Sequence, residues 1–254
     1  MGGMKISVQL YTLRDLLAVD MPAVLKKLKA IGYPAAELAG YGNLKSAAEV
    51  REAFDAAGLA VSGSHVSIDR LKNDIDGVIA EQKTLGNTNV VLAWLDADLR
   101  KNAADWRGLA ATANEAGRQL KAAGLRFLYH NHAFEFEQFD GGRAFDIFWQ
   151  HTDPELVKSE LDVYWVKLAG LDPVAYMKQL GTRVKILHLK DMAAGEGNKF
   201  APVGTGTIDF AAVLKTANDL GVEWGAVEQD NCYGEDPLKI VATSFENLRK
   251  LGAI

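Results

Sequence analysis

The sequence predicts an α/β fold, a single-domain (β/α)8 TIM barrel over residues 1–254. Three observations carry this. Eight strand-like segments alternate with eight amphipathic stretches, six fragments repeat one helix–glycine–strand join, and no linker or composition break divides the chain. Strict alternation of β and α calls for a parallel sheet with right-handed crossovers. Eight units favour closing that sheet into a barrel, which typically takes about 250 residues.

The repeat is read in LKAIGYPAAEL around Gly32, FDAAGLAVSGSH around Gly58, QKTLGNTNVVL around Gly86, LKAAGLRFLYH around Gly124, MKQLGTRVKILH around Gly181 and ANDLGVEWGAVE around Gly221. Glycine suits the join because the residue after a helix commonly turns left-handed, which is cheap only without a Cβ. The strands are KISVQLY, AAELAG, LAVSGSH, NVVLAWL, RFLYHN, KSELDV, VKILHLK and WGAVEQ. Helices fall near 21–31, 46–57, 74–85, 103–123, 143–151, 172–180, 209–220 and 237–251, with Asp20, Ser46, Asp172 and Asp209 as N-caps. The sixth unit departs, since HTDPEL carries Pro154 where the others have glycine. An open dinucleotide-binding sheet would need a glycine fingerprint after its first strand, and Gln9-Leu10-Tyr11-Thr12-Leu13 has none.

Composition bounds the function. With 48% hydrophobic and 24% charged residues the chain buries a substantial core. A net charge of -5 argues against a nucleic-acid partner, which would need a clustered basic surface. No run of about 18 apolar residues occurs, so no membrane partner is expected. The single cysteine, Cys232, has no internal partner for a disulfide and reads as inert. The start, MGGMKISVQLYTL, lacks a secretory signal pattern, and a cytoplasmic location is expected. Met1-Gly2-Gly3 ahead of Met4 reads as an added leader, which leaves a trimmed native signal as the alternative.

Four strands in the second half close on a metal-capable side chain: His130, Asp162, His188 and Glu228. In a barrel strand alternate side chains face the axis and the helices, and the helix-facing set is apolar. Leu187 and Leu189 therefore face helices while Ile186, His188 and Lys190 face the axis. Likewise Leu161, Val163 and Val227 face out, and Glu160, Asp162, Ala226 and Glu228 face in; Leu128, His130 and His132 share one parity. Glu37 and His65 close two earlier strands. Barrel enzymes build their sites at these C-terminal strand ends, and a buried charge there needs a partner, water or a metal. Two imidazoles and two carboxylates meeting there suit a divalent cation. His151, beside Asp153 and Pro154, reads as a surface residue; Asp162 and Glu228 read alternatively as salt-bridge partners of Lys190 or an arginine, and Lys190 as the neutralising partner of Asp191 or Glu160.

At YHNHAFEF (129–136), ELDVYW (160–165), HLKD (188–191), PVGTGTIDF (202–210) and VEQD (227–230) the chain resembles the xylose-isomerase-like barrel superfamily. That group comprises sugar isomerases and epimerases, inosose dehydratases and 3-keto-sugar lyases. The resemblance spans essentially the whole chain. It implies a divalent metal, manganese first and magnesium, cobalt or zinc as alternatives, on groups matching Asp162, His188 and Glu228. His130 stands where many members carry a glutamate, and Glu135 is a rival fourth ligand or a substrate contact. The resemblance also implies a homodimer or homotetramer.

The expected activity is that of a metal-dependent sugar isomerase or epimerase, acting on a ketose or keto-cyclitol through an enediolate. A metal would serve as Lewis acid while a base removes the proton α to the carbonyl. The alternative is a lyase or dehydratase acting on an inosose or 3-keto-glycoside, which tolerates His130 in place of a second carboxylate base. A non-catalytic sugar-binding barrel is the third reading. Catalytic candidates are Glu228, His65, His132 and Lys190, with Glu37 and His130 as further base candidates. Glu37, Glu135, Trp165 and Trp94 are expected to contact a small-molecule sugar, with Tyr11 and Phe134 completing the wall. The glycines of PVGTGTIDF lack a P-loop ending and read as a turn before Asp209. The segment from Asp191 to Gly206 reads as a mobile loop over the site.

Overall fold

A computed structural model describes residues 3–254. Met1 and Gly2, the first two residues of the expected leader Met1-Gly2-Gly3, lie outside the described residues. Eight strands form a closed barrel in sequential order, β8 pairing back onto β1, and every barrel pairing is parallel. They are β1 (Lys5–Gln9), β2 (Ala35–Leu38), β3 (Ala60–His65), β4 (Asn89–Leu92), β5 (Arg126–His130), β6 (Val157–Asp162), β7 (Val184–Leu189) and β8 (Trp224–Val227).

The helices are α1 (Arg14–Ile31), α2 (Ala47–Ala57), α3 (Ile68–Asn73), α4 (Ile75–Leu85), α5 (Ala103–Ala122), α6 (Ala144–Gln150), α7 (Val163–Leu168), α8 (Pro173–Leu180), α9 (Phe210–Leu220) and α10 (Pro237–Lys250). The eight expected helical stretches are all present. α1 starts earlier than expected, and at Asp20 its backbone leaves helical geometry (φ -156°, ψ 84°). The Asp20 carboxylate accepts from Ala23 N–H, so it caps the second of two joined segments. Ser46, Asp172 and Asp209 cap α2, α8 and α9 as expected. Gly58 and Gly86 end α2 and α4 in the left-handed conformation that the repeat requires.

Two short helices and two ribbons were not foreseen. Val163, expected in a strand, begins α7, because the Asp162 carboxylate accepts from the N–H groups of Tyr164 and Trp165 and turns the chain at once. Small antiparallel ribbons pair Gln138–Phe139 with Gly142–Arg143 and Asp191–Met192 with Phe200–Ala201.

The parity expectation holds at Leu161, Leu187, Leu189 and Val227, which join the main core between barrel and helices. Inside the barrel a separate apolar layer is made by Val91, Leu128, Ile186 and Ala226. Toward the C-terminal strand ends the next axis-facing side chains are polar or ionisable: Gln9, Glu37, His65, His130, Glu160 and His188. That placement is costly for a core, and the site lies there.

The segment from Asp191 to Gly206 has an ordered base. The Asp191 carboxylate accepts from the N–H groups of Met192 (2.8 Å), Gly204 (3.0 Å), Gly206 (2.8 Å) and Ile208 (3.2 Å). The glycines of PVGTGTIDF do form an anion cradle, and its anion is Asp191. A Cβ on Gly206 would lie 2.3 Å from Met192 O and 2.4 Å from Asp191 Oδ1, so only glycine fits.

Candidate active site

A cavity of about 500 Å³ opens at the C-terminal end of the barrel, lined by Tyr11, His65, Ala93, Trp94, His130, His132, Trp165, Lys190, Glu228 and Asp230. Each comes from a strand end or the turn after it, the position that lets a side chain leave the packed barrel without unfolding it. Trp94 and Tyr11 are exposed on the rim. Trp94 stands edge-on to His132 and to Phe134, which stacks on His132 from behind (5.6 Å between centroids). Phe134 therefore supports the wall and is not among the lining residues.

The mouth is organised by one ammonium. Lys190 Nζ lies 3.0 Å from Asp162 Oδ2, 2.8 Å from Glu228 Oε2 and 2.8 Å from Asp230 Oδ1, and its side chain is 1% exposed. Of its two expected partner sets, Asp162 and Glu228 are the groups it meets, and Asp191 and Glu160 are not. Burial opposes charge on Lys190, but the three carboxylates outweigh it and raise its pKa well above the usual value. Burial would also raise Glu228, yet Lys190 and His188 hold it well below the usual carboxylate range. Asp162 is raised to about 6 by burial, which exceeds the opposing pull of Lys190 and His188. Burial, aided by Glu228, raises Asp230 as well.

Beneath the mouth lies a second cluster. His188 Nε2 sits 2.9 Å from Glu160 Oε1 and 3.2 Å from Glu37 Oε2, while His65 Nε2 sits 3.0 Å from Glu37 Oε1 and 3.2 Å from Glu160 Oε1. His188 Nδ1 reaches up to Glu228 Oε2 at 2.8 Å, so this imidazole joins the two layers. His130 Nδ1 approaches Glu160 Oε1 at 3.1 Å. Burial works against charge on His65, but Glu160 and Glu37 lift its pKa to about 9. Glu160 is raised by burial and by the neighbouring Glu37 charge. Burial and the surrounding cations keep His130 neutral, and the same causes lower His132 to about 3.

Register irregularities aim both deep carboxylates. The β2–β3 pairing shifts between Ala36 and Glu37, and the β6–β7 pairing shifts between Ser159 and Glu160. Such shifts re-aim a side chain, here toward the axis. Opposite Glu37 the chain has Gly63, where a Cβ would come within 3.1 Å of Glu37 Oε1.

The four ligands read from sequence are only partly brought together. His130, Asp162 and His188 offer donor atoms within 4.8 Å of one another. Glu228 is turned onto Lys190 and His188 instead. A second group, Glu37, His65, Glu160 and His188, is equally compact and was not assembled from sequence. Glu37, expected at the substrate, is fully buried in this floor layer. Glu135 is a clearer departure: its carboxylate accepts from Tyr129 Oη (2.9 Å) and His132 N–H (2.7 Å), behind the cavity wall. Tyr129 has helix-facing parity, so Glu135 reaches neither the cavity nor the ligand cluster. Trp94, Trp165, His132 and Lys190 line the cavity where the sequence placed them. Glu160, Asp230 and Gln9, whose amide lies 3.0 Å from His65 Nε2, were missed as site residues. A signal existed for two of them, since Glu160 and Asp230 stand two residues from Asp162 and Glu228 and so share their parity.

The model of the xylose isomerase-like TIM barrel family matches residues 25–251. An inosose dehydratase of Clostridium beijerinckii is 28% identical over 167 residues, 59% of this chain and 53% of that protein. The chain thus spans about half the length of such relatives. A solved sugar phosphate isomerase/epimerase from Parabacteroides distasonis superposes with a TM-score of 0.84 at 26% identity, covering 98% of this chain and 94% of that one. The IOLI protein, solved with a zinc atom, has the same fold at 15% identity and a TM-score of 0.76, with 98% of each chain covered. Closed parallel barrel, polar C-terminal mouth and family match agree: the chain belongs to the xylose isomerase-like TIM barrel family.

Proposed function

We propose that the chain is an enzyme that removes the proton α to the carbonyl of an uncharged keto-sugar or keto-cyclitol. The observation that carries this is the cavity itself, with aromatic walls above and a floor of buried carboxylates and imidazoles below. A pure binding module would gain nothing from burying five acidic side chains at strand ends, because each costs free energy unless paired. Relatives named inosose dehydratase and sugar phosphate isomerase/epimerase support carbohydrate chemistry at the same place.

Among the lining residues Glu228 is ionised and His132 is neutral, so both stand in the unprotonated form a general base requires, while their lowered pKa values make each a weak base in these surroundings. The Lys190 ammonium, its three N–H groups held by three carboxylates, acts on the oxygen on which charge develops through its nearby positive charge and not as a hydrogen-bond donor. Trp94, Trp165 and Tyr11 pack against the sugar and keep bulk water from the exposed carbanion face. A divalent ion, manganese first, fits the buried Glu–His donors, and Glu160 Oε2 is buried without a hydrogen-bond partner. When bound, such an ion would polarise the carbonyl as a Lewis acid.

The uncharged substrate follows from how the anion-holding groups are used. Among the described residues Lys190 is the only lysine or arginine lining the cavity, and it is already matched to three carboxylates, while His65, the other cationic group there, is matched to Glu37 and Glu160. The glycine cradle of residues 202–208 is filled by Asp191. A phosphate would meet Glu228 and Asp230 with no free cation. Quenching of tryptophan fluorescence by ketoses and their phosphate esters tests this, and tighter binding of the ester would contradict it.

Reprotonation of the same carbon gives an isomer or epimer; loss of a β substituent gives an unsaturated product. Elimination gains support from the placement of Glu228 and Asp230, the two lining carboxylates, on one strand end, so no carboxylate pair faces across the sugar. NMR of the products from ketoses, inososes and 3-keto-glycosides separates the outcomes: an epimer supports the first, an alkene or released aglycone the second. A chain that leaves all three classes unchanged, with its metal complement supplied, contradicts both.

A further inference from the structure

The geometry points to a divalent-cation site at the floor of the barrel, held by Glu37, His65, Glu160 and His188, with Lys190 serving as the fixed cation of the mouth. This deepens the reading that a divalent ion serves the cavity, and rests on it, by assigning the donors that hold it. The resemblance implied Asp162, His188 and Glu228 as ligands. In this chain the space between Asp162 and Glu228 belongs to the Lys190 ammonium, at 3.0 and 2.8 Å, with Asp230 completing its shell. Two cations at that point would repel at close range, and a second ion would have to displace a buried ion pair.

The floor has the opposite balance. Glu37 and Glu160 are wholly buried, and among the described residues no lysine or arginine pairs with either. Their only cationic partners are imidazoles, and each of His65 Nε2 and His188 Nε2 lies within 3.2 Å of both carboxylates. Glu160 Oε2 remains without a hydrogen bond. Two imidazoles and two carboxylates, each offering one atom within 4.8 Å of the others, form a donor set that suits zinc, manganese or cobalt. The register shifts at Glu37 and Glu160, and the Gly63 gap beside Glu37, show backbone adjusted around these two groups. His188 then acts at the join, its Nδ1 held by Glu228, as metal-bound imidazoles generally are by a carboxylate. This use of His65 takes it out of the acid–base set.

The test is a titration of the chelator-stripped full-length chain with Mn(II), counting free ion by electron paramagnetic resonance. One ion should bind per chain, with pulsed measurements showing coupling to two imidazole nitrogens. Glu37→Gln and Glu160→Gln should each weaken binding by more than about tenfold, while Asp162→Asn stays within about threefold of the parent. His65→Gln should remove one nitrogen coupling, and near-UV circular dichroism checks that each variant is folded; if one is not, the other two carry the same comparison. Loss of binding in Asp162→Asn with retention in Glu37→Gln and Glu160→Gln would overturn the assignment, as would a parent chain that binds no ion at stoichiometric concentration. Failure of the sugar reading shows differently, as a chain that binds Mn(II) on these donors yet exchanges no proton of any ketose.

Discussion

Lys190 shows how one side chain decides what its neighbours can do. Removing it leaves Asp162, Glu228 and Asp230 facing one another in a buried pocket, whereas removing one acid leaves the ammonium two partners. Lys190→Met should therefore cost roughly 3–5 kcal/mol in urea denaturation, and Asp162→Asn distinctly less. An equal cost would mean that the ammonium does not organise the mouth. Glu135 gives a pH signature. Burial raises its pKa to about 8 from an unfolded value of 4.5, so the folded chain holds a proton that the unfolded chain has lost. Stability then falls as pH rises from about 4.5 to about 8, and is unaffected by this group below 4.5. Glu135→Gln should lack that limb and be more stable than the parent at pH 7, on the order of 1 kcal/mol, as read by thermal unfolding across pH. Parity along each strand made the inward direction of Lys190, His188 and Glu228 legible. Partner choice was half legible: a salt bridge from Lys190 to Asp162 or Glu228 was one of two readings, and choosing it over Glu160 or Asp191 depends on how far each strand is shifted along its neighbour. Glu135 misled because proximity in YHNHAFEF says nothing about the turn that carries it behind the wall.

At the scale of elements, the strand ends do more than carry ligands. Asp162 both closes β6 and caps α7, and Asp191 gathers the loop up to Ile208 onto four N–H groups. Asp191→Ala should release those donors, lowering stability by about 2 kcal/mol or more and speeding amide exchange at Gly204, Gly206 and Ile208. Unchanged exchange there would show that the ribbon alone fixes the loop. The αβ repeat was legible because glycine after a helix is a local requirement. The ribbon at 191–201 was not, since MAAGEGNK has the composition of a mobile loop and its order comes from a carboxylate outside that stretch. The shift at Asp20 was half legible: the cap was read, and the helical turn before it was hidden by the non-helical residue.

For the whole molecule, barrel closure turns eight separate strand tips into one ring, so that Glu37 near the start and Glu228 near the end both touch His188. Eightfold alternation made that closure readable from sequence. The depth of the site was not readable, because its two layers depend on register shifts at Glu37 and Glu160 that no single strand reveals. The step proposed for this ring is removal of a proton next to a sugar carbonyl, which isomerisation and elimination share. Its most direct measurement is NMR of uncharged keto-sugars incubated with the metal-supplemented chain in deuterated water. Enzyme-dependent change is expected at the carbon beside the carbonyl, as deuterium entering recovered sugar or as loss of that proton in an unsaturated product, and it should be absent in Glu228→Gln combined with His132→Gln. Retention of the original proton in every ketose, inosose and 3-keto-glycoside tested would contradict it.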